Sequence, residues 1–163
     1  MEPPDPVGEL YAGSYRRLVV QLYAVTGDLG EAQEAVQEAF IRMLCGPERL
    51  ARLANPESWL RRVAVNVARS RHRRRRLFDR ILRREGPPSA VPDLSPDHVM
   101  LMAALRRLPR GQRDALALHY LADLPIDEVA RTLDVSVGTV KSRLARGRAA
   151  LATELTEPVG ELT

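Results

Sequence analysis

Apolar residues recur along this chain at helical spacing. Over residues 8 to 25, Leu10, Tyr11, Tyr15, Leu18, Val19, Leu22 and Tyr23 fall three and four apart, which places them on one side of an α-helix. Thr26-Gly27-Asp28 predicts a turn after it. Ala32, Ala35, Val36, Ala39, Phe40, Met43 and Leu44 repeat the pattern, so a second, strongly amphipathic helix is expected from about residue 31 to 44, stopped by Gly46-Pro47. A loop from Gly46 to Ser58 then leads to a third long helix from about Glu57. Trp59, Leu60, Val63, Val67 and Leu77 are the candidates for its inward side.

From Glu85 to Asp97 the sequence EGPPSAVPDLSPD holds four prolines and few apolar residues, which predicts a linker. The expected class is therefore all-α: two small helical domains, 1–84 and 98–163, joined by a Pro-rich segment at 85–97. In the second domain Leu101, Leu105 and Leu108 mark one short helix. Pro109 opens another that reaches about Leu121, and Asp123-Leu124-Pro125 is a turn. IDEVARTL (126–133) reads as a short helix, Asp134-Val135 as a tight corner, and Ser136 as the N-cap of the helix that follows. Two short helices around a tight turn form a helix-turn-helix pattern. Its corner often carries glycine; aspartate also tolerates the left-handed backbone required there.

Charge sharpens this picture. The net charge of +4 conceals a steep division: residues 1–60 carry 5 basic and 9 acidic groups, residues 61–84 carry 11 and 1, and residues 85–163 carry 9 and 11. A second basic cluster, Lys141, Arg143, Arg146 and Arg148, stands without an acid in residues 137–150. Two separate cationic patches point to two contacts with a polyanion, and nucleic acid is the first candidate. With Ala130 at the helix crossing and Val135, Val140 and Leu144 filling the space behind it, Thr139, Ser142, Arg143 and Arg146 project outward and Lys141 sits at the flank. A helix of that width fits a major groove. Gly138 and Thr139 allow close approach, Arg146 is the expected base reader, and Lys141 and Arg113 are expected on phosphates.

Several chemistries are excluded. No apolar run is long enough to cross a bilayer, and MEPPDPVGEL lacks the basic start and apolar stretch of a signal peptide, so a cytoplasmic protein without membrane insertion is expected. Cys45 has no partner for a disulfide and is expected to be a small core residue. His72, His98 and His119 lack spaced carboxylate or cysteine companions, so neither a metal, a cofactor nor a catalytic centre is expected.

The segment LRRLPRGQRDALALHYLADLPIDEVARTLDVSVGTVKSRLARGRAAL resembles the promoter-binding C-terminal domain of extracytoplasmic-function (ECF) sigma factors. EAQEAVQEAFIRML is similar to that family's core-polymerase-binding helix, and NPESWLRRVAVNVARSRHRRRR to its promoter-melting and minus-10-reading helix. The resemblance implies a dissociable RNA polymerase subunit with no catalytic centre of its own, restrained by an anti-sigma factor. It implies that Gln33, Glu34, Gln37, Glu38 and Ile41 meet the polymerase. It further implies that Asn66 contacts a base extruded from the minus-10 element while Arg61, Arg62, Arg69 and Arg73 to Arg76 hold phosphates around it. The family's loop aromatic is absent between Gly46 and Ser58, where Arg49, Leu50 and Arg52 stand instead. No sensory domain is expected after residue 163. The rivals are a helix-turn-helix regulator that never enters polymerase, an enzyme acting on nucleic acid, and a sigma-like protein that has lost promoter melting.

Overall fold

In the computed structural model, which describes residues 2–79 and 95–156, every regular element is helical. The chain divides into two units, Met1–Ser89 and Ala90–Thr163. Most of the expected linker lies outside the described residues. Its last part differs from expectation: Ser95 caps a helix that begins at Pro96, so residues 96 and 97 are helical.

In the first unit α1 (Pro6–Thr26) starts on Asp5, whose carboxylate accepts the Gly8 N–H at 3.0 Å. It ends where Gly27 turns left-handed at φ 73°, a conformation natural to glycine. Asp28 then caps α2 (Leu29–Leu44) by accepting from the Glu31 N–H at 2.8 Å. Within the loop expected at 46–58 a helix forms, α3 (Pro47–Arg52), too short to show an apolar period. α4 (Pro56–Asp79) completes the unit, with α1 and α2 packed on each other and on α4.

The core of this unit is Leu18, Leu22, Val25, Val36, Met43, Leu60 and Val65, all fully buried. Each large aliphatic contributes about 2–5 kcal/mol by comparison with alanine. Four expected positions fall outside it, among them Tyr11 of the apolar series on α1, which is exposed near the start of that helix. Leu44 is 58% exposed and lines an open groove with Val7, Gly8 and Tyr11 of α1. Cys45 is exposed, being past the end of the covered face of α2. Leu77 is 68% exposed; it lies in the last turns of α4, among residues 73–78 that are all exposed.

In the second unit α5 (Pro96–Arg106) precedes α6 (Arg110–Leu116), which widens into a π-helical turn at Ala117–Leu121. Asp123 and Asp134, both at φ 55°, make the two left-handed corners around α7 (Ile126–Leu133). The aspartate expected to serve at the helix-turn-helix corner does so. α8 (Val137–Thr156) starts at Ser136, whose hydroxyl accepts the Thr139 N–H at 3.1 Å. Leu105, Leu116, Leu118, Val129, Leu133, Val140 and Leu144 form the core. At Gly147 α8 comes so near α6 that an added Cβ would stand 2.9 Å from Leu116 Cδ1.

Candidate nucleic-acid and polymerase interfaces

The apolar side of α8 decides what its other side can offer. Val140, Leu144 and Gly147 are buried three and four residues apart, which leaves Gly138, Lys141, Ser142 and Arg146 exposed and Thr139 and Arg143 half-buried at the edges. Thr139 also shares a 2.9 Å hydrogen bond with the Ser136 hydroxyl, so its side chain is held at the start of the helix. Arg148 donates to the Tyr120 hydroxyl at 3.0 Å and is tied to the π turn. On α7, Asp127 and Glu128 are taken up by their own helix, pairing with Arg131 at 3.0 and 2.8 Å. Lys141, Arg143 and Arg146 have no ion pair among the described residues, so their charge faces solvent uncompensated. Arg143 lies flat on α6, where a Cβ at Gly111 would meet its Nε at 2.9 Å and its Cζ at 3.0 Å. Arg113 is half-buried, with its Nε enclosed and without a hydrogen-bond partner.

α4 carries its arginines differently. Arg61 is 6% exposed; it donates to Gln21 Oε1 at 2.9 Å and lies 3.5 Å from Glu57. Grouped with the phosphate contacts from sequence, it is instead an internal strut between α4 and α1. Glu57 in turn accepts from Nε and Nη2 of Arg17, at 2.6 and 2.7 Å. The Arg17 hydrogen bond is the main reason its carboxyl sits below the ordinary range, against a smaller opposing effect of burial. Further along, Arg71 pairs with Glu34 of α2 at 3.0 Å and Arg75 with Glu31 of α2. Asn66 and Arg73 are exposed, Arg62 and Arg69 half-buried, so these four remain on an outer side of the helix. Trp59, expected inward, is only half-buried, and Arg49 of α3 lies over its ring at 5.3 Å.

On α2, Gln33, Glu34, Gln37 and Ile41 are exposed and Glu38 is half-buried, as the helical period implies. Gln37 donates to the Tyr15 hydroxyl at 3.3 Å, and Glu38 pairs with Arg42 one turn on at 3.2 Å. Ile41 continues into an apolar groove with Tyr11, Phe40 and Leu44, which the apolar period does not predict because it puts Leu44 inside. The links from Arg17 to Glu57 and from Arg61 to Gln21 span forty residues and leave no local signal. Among the described residues no cluster of His, Cys, Asp or Glu suits a metal ion, and no helix is long and apolar enough to cross a membrane.

Comparison with known proteins identifies two family regions in the chain. Residues 10–78 match Sigma-70 region 2 and residues 98–151 match Sigma-70 region 4. The ECF RNA polymerase sigma factor SigW of Bacillus subtilis is 30% identical over 159 residues, covering 86% of this chain and 84% of that protein. The ECF RNA polymerase sigma factor SigE of Mycolicibacterium smegmatis is 31% identical over 148 residues, covering 85% of this chain but 57% of that longer protein. Among solved structures, the sigma factor RpoE of Bartonella quintana, crystallised with the anti-sigma factor NepR, has the same fold. Its TM-score is 0.76 at 20% identity, over 92% of this chain and 96% of that one.

Proposed function

Because this chain belongs to the ECF family of RNA polymerase sigma factors, we infer that its two units divide one task between them. The chain binds core RNA polymerase and directs promoter-specific transcription initiation, with region 2 in the first unit and region 4 in the second. It supplies recognition, while the polymerase supplies the chemistry. A regulator that only binds DNA is not favoured, because it leaves the whole of residues 10–78 without a role.

In the second unit α8 enters the major groove of the minus-35 element. Gly138 permits close approach, Arg146 reaches a base edge beside Thr139 and Ser142, and Lys141, Arg113 and Arg143 hold phosphates. In the first unit the exposed amide of Asn66 donates to and accepts from a base edge at once, which no charged group can do. Arg62, Arg69 and Arg73 hold the neighbouring phosphates; Arg61 leaves this set because it is buried and bonded. Gln33, Glu34, Gln37, Glu38 and Ile41 face the polymerase, where an exposed Ile41 among polar groups makes a partner surface. The chain works in the cytoplasm beside its polymerase, and an anti-sigma factor restrains it, as NepR is found with the Bartonella protein.

The observation that carries this reading is the presence, in one chain and in order, of two sigma regions that each present a cationic helix face. The test is transcription by core polymerase plus the purified chain on templates recovered by genomic run-off selection. Transcripts are expected from duplex templates. Asn66→Ala is expected to lose most of that activity and recover it on a template with a pre-opened bubble. DNA binding without transcription from either template would make the protein a free-standing regulator.

A further inference from the structure

Arg143 and Arg146 lie three residues apart on α8, yet they stand in different surroundings. Arg146 is exposed, whereas Arg143 is half-buried and rests on the first turn of α6. The contact depends on Gly111. A Cβ built there would lie 2.9 Å from Arg143 Nε, 3.0 Å from Cζ and 3.4 Å from Cδ, so any side chain at 111 would occupy the guanidinium's place. Gly111 does not have a positive φ, so backbone freedom is not the reason for glycine at this position. Nor does glycine form a helix better than alanine. What glycine supplies at 111 is room.

Arg143 makes no hydrogen bond or ion pair among the described residues, so packing alone holds its pose and its N–H donors stay open to an anion. On α8 it borders buried Val140, Leu144 and Gly147, while Ser142 and Arg146 lie further out. When a helix lies in a major groove its outermost residues meet base edges, and residues on the flank meet the sugar-phosphate wall.

We propose that Gly111 is a positioning residue for DNA binding: by leaving room on α6, it lays Arg143 at the flank of the recognition helix, where Arg143 grips a backbone phosphodiester and leaves base reading to Arg146. This rests on the reading of α8 as the minus-35 helix. Sequence specificity and backbone grip are then separated on one helix by a residue of another.

The experiment measures binding of the full chain to duplexes selected by the wild-type chain from a randomised pool, across a range of salt concentrations. Arg143→Ala is expected to weaken all duplexes alike and to reduce the salt slope by about one. Gly111→Ala is expected to do the same, with unchanged helix content and an equal or higher melting midpoint, because only the end of a flexible side chain must move. The double variant is expected to match Arg143→Ala alone. The proposal is overturned if Gly111→Ala keeps the wild-type slope, if the two effects add, or if Arg143→Ala flattens preference at a single base pair. If Arg143→Ala and Arg146→Ala both leave binding unchanged, the reading of α8 itself falls. If they weaken binding while Gly111→Ala does not, only the positioning role of Gly111 falls.

Discussion

The two cationic helices of this protein look alike in sequence and are used in opposite ways. Along α4, Arg61 is buried against Gln21, Arg71 and Arg75 are paired with Glu34 and Glu31 of α2, and only part of the run faces outward unpaired. On α8, Lys141, Arg143 and Arg146 have no counter-charge at all among the described residues. Counting arginines therefore overstates the charge that the first unit offers to DNA and describes the second correctly. The paired arginines also differ among themselves. A surface pair contributes about 0–1 kcal/mol, little enough for a phosphate to displace the carboxylate, whereas a buried pair resists disruption.

The largest test of this contrast is Arg61→Ala. It leaves the Gln21 amide without its buried partner and Glu57 without one of its two cations, so a loss of about 3 kcal/mol in stability is expected from denaturant unfolding. A variant as stable as wild type would return Arg61 to the phosphate contacts. The opposite kind of effect is expected for Arg146→Ala on α8. Stability should stay within about 0.5 kcal/mol, while binding to the matching minus-35 duplex weakens by about 1–3 kcal/mol and discrimination is lost at one position. Binding titrations over single-base variants check this.

Glu31→Gln with Glu34→Gln turns α4 into a helix more like α8. Releasing Arg71 and Arg75 is expected to steepen the salt dependence of duplex binding by about 0.9 for each arginine that then reaches a phosphate. Adding Arg71→Ala and Arg75→Ala should cancel the gain; a gain that persists would come from lost repulsion instead. The smallest effect concerns Glu57. Its carboxyl is held low in the folded state by Arg17, so the stabilisation is fully present above the ordinary carboxylate range and is lost as pH falls through the folded value. Wild type and Arg17→Ala should differ by less than about 1 kcal/mol near neutrality, because Arg17 is largely exposed, and their unfolding curves should converge in acid.

Where a residue's environment is set by its own helix, the sequence made it legible. The buried series on α2 follows from spacing, and the cap at Ser136 and the left-handed aspartate at 134 from residue type at the ends of helices. At the margin of a face, periodicity misleads. Leu44, at the edge of the apolar stripe of α2, and Leu77, on the side of α4 that carries Asn66 and Arg73, are both exposed. The candidate site shows the same limit. Exposure of Asn66, Ser142 and Arg146 could be read locally, whereas burial of Arg61 and the resting place of Arg143 each required a residue distant in sequence.

Trp59 is the only tryptophan in the chain, and α3 lays the guanidinium of Arg49 over its indole ring, two turns before Asn66. A cation at that distance alters the excited state of the ring, as would a base stacked nearby or removal of the arginine by melting of α3. Tryptophan emission from the unlabelled chain therefore arises wholly from the region 2 side, since the one described tyrosine of the other unit, Tyr120, emits at shorter wavelength. Changes in the tryptophan band on mixing with single-stranded oligonucleotide, polymerase or denaturant report on that unit alone.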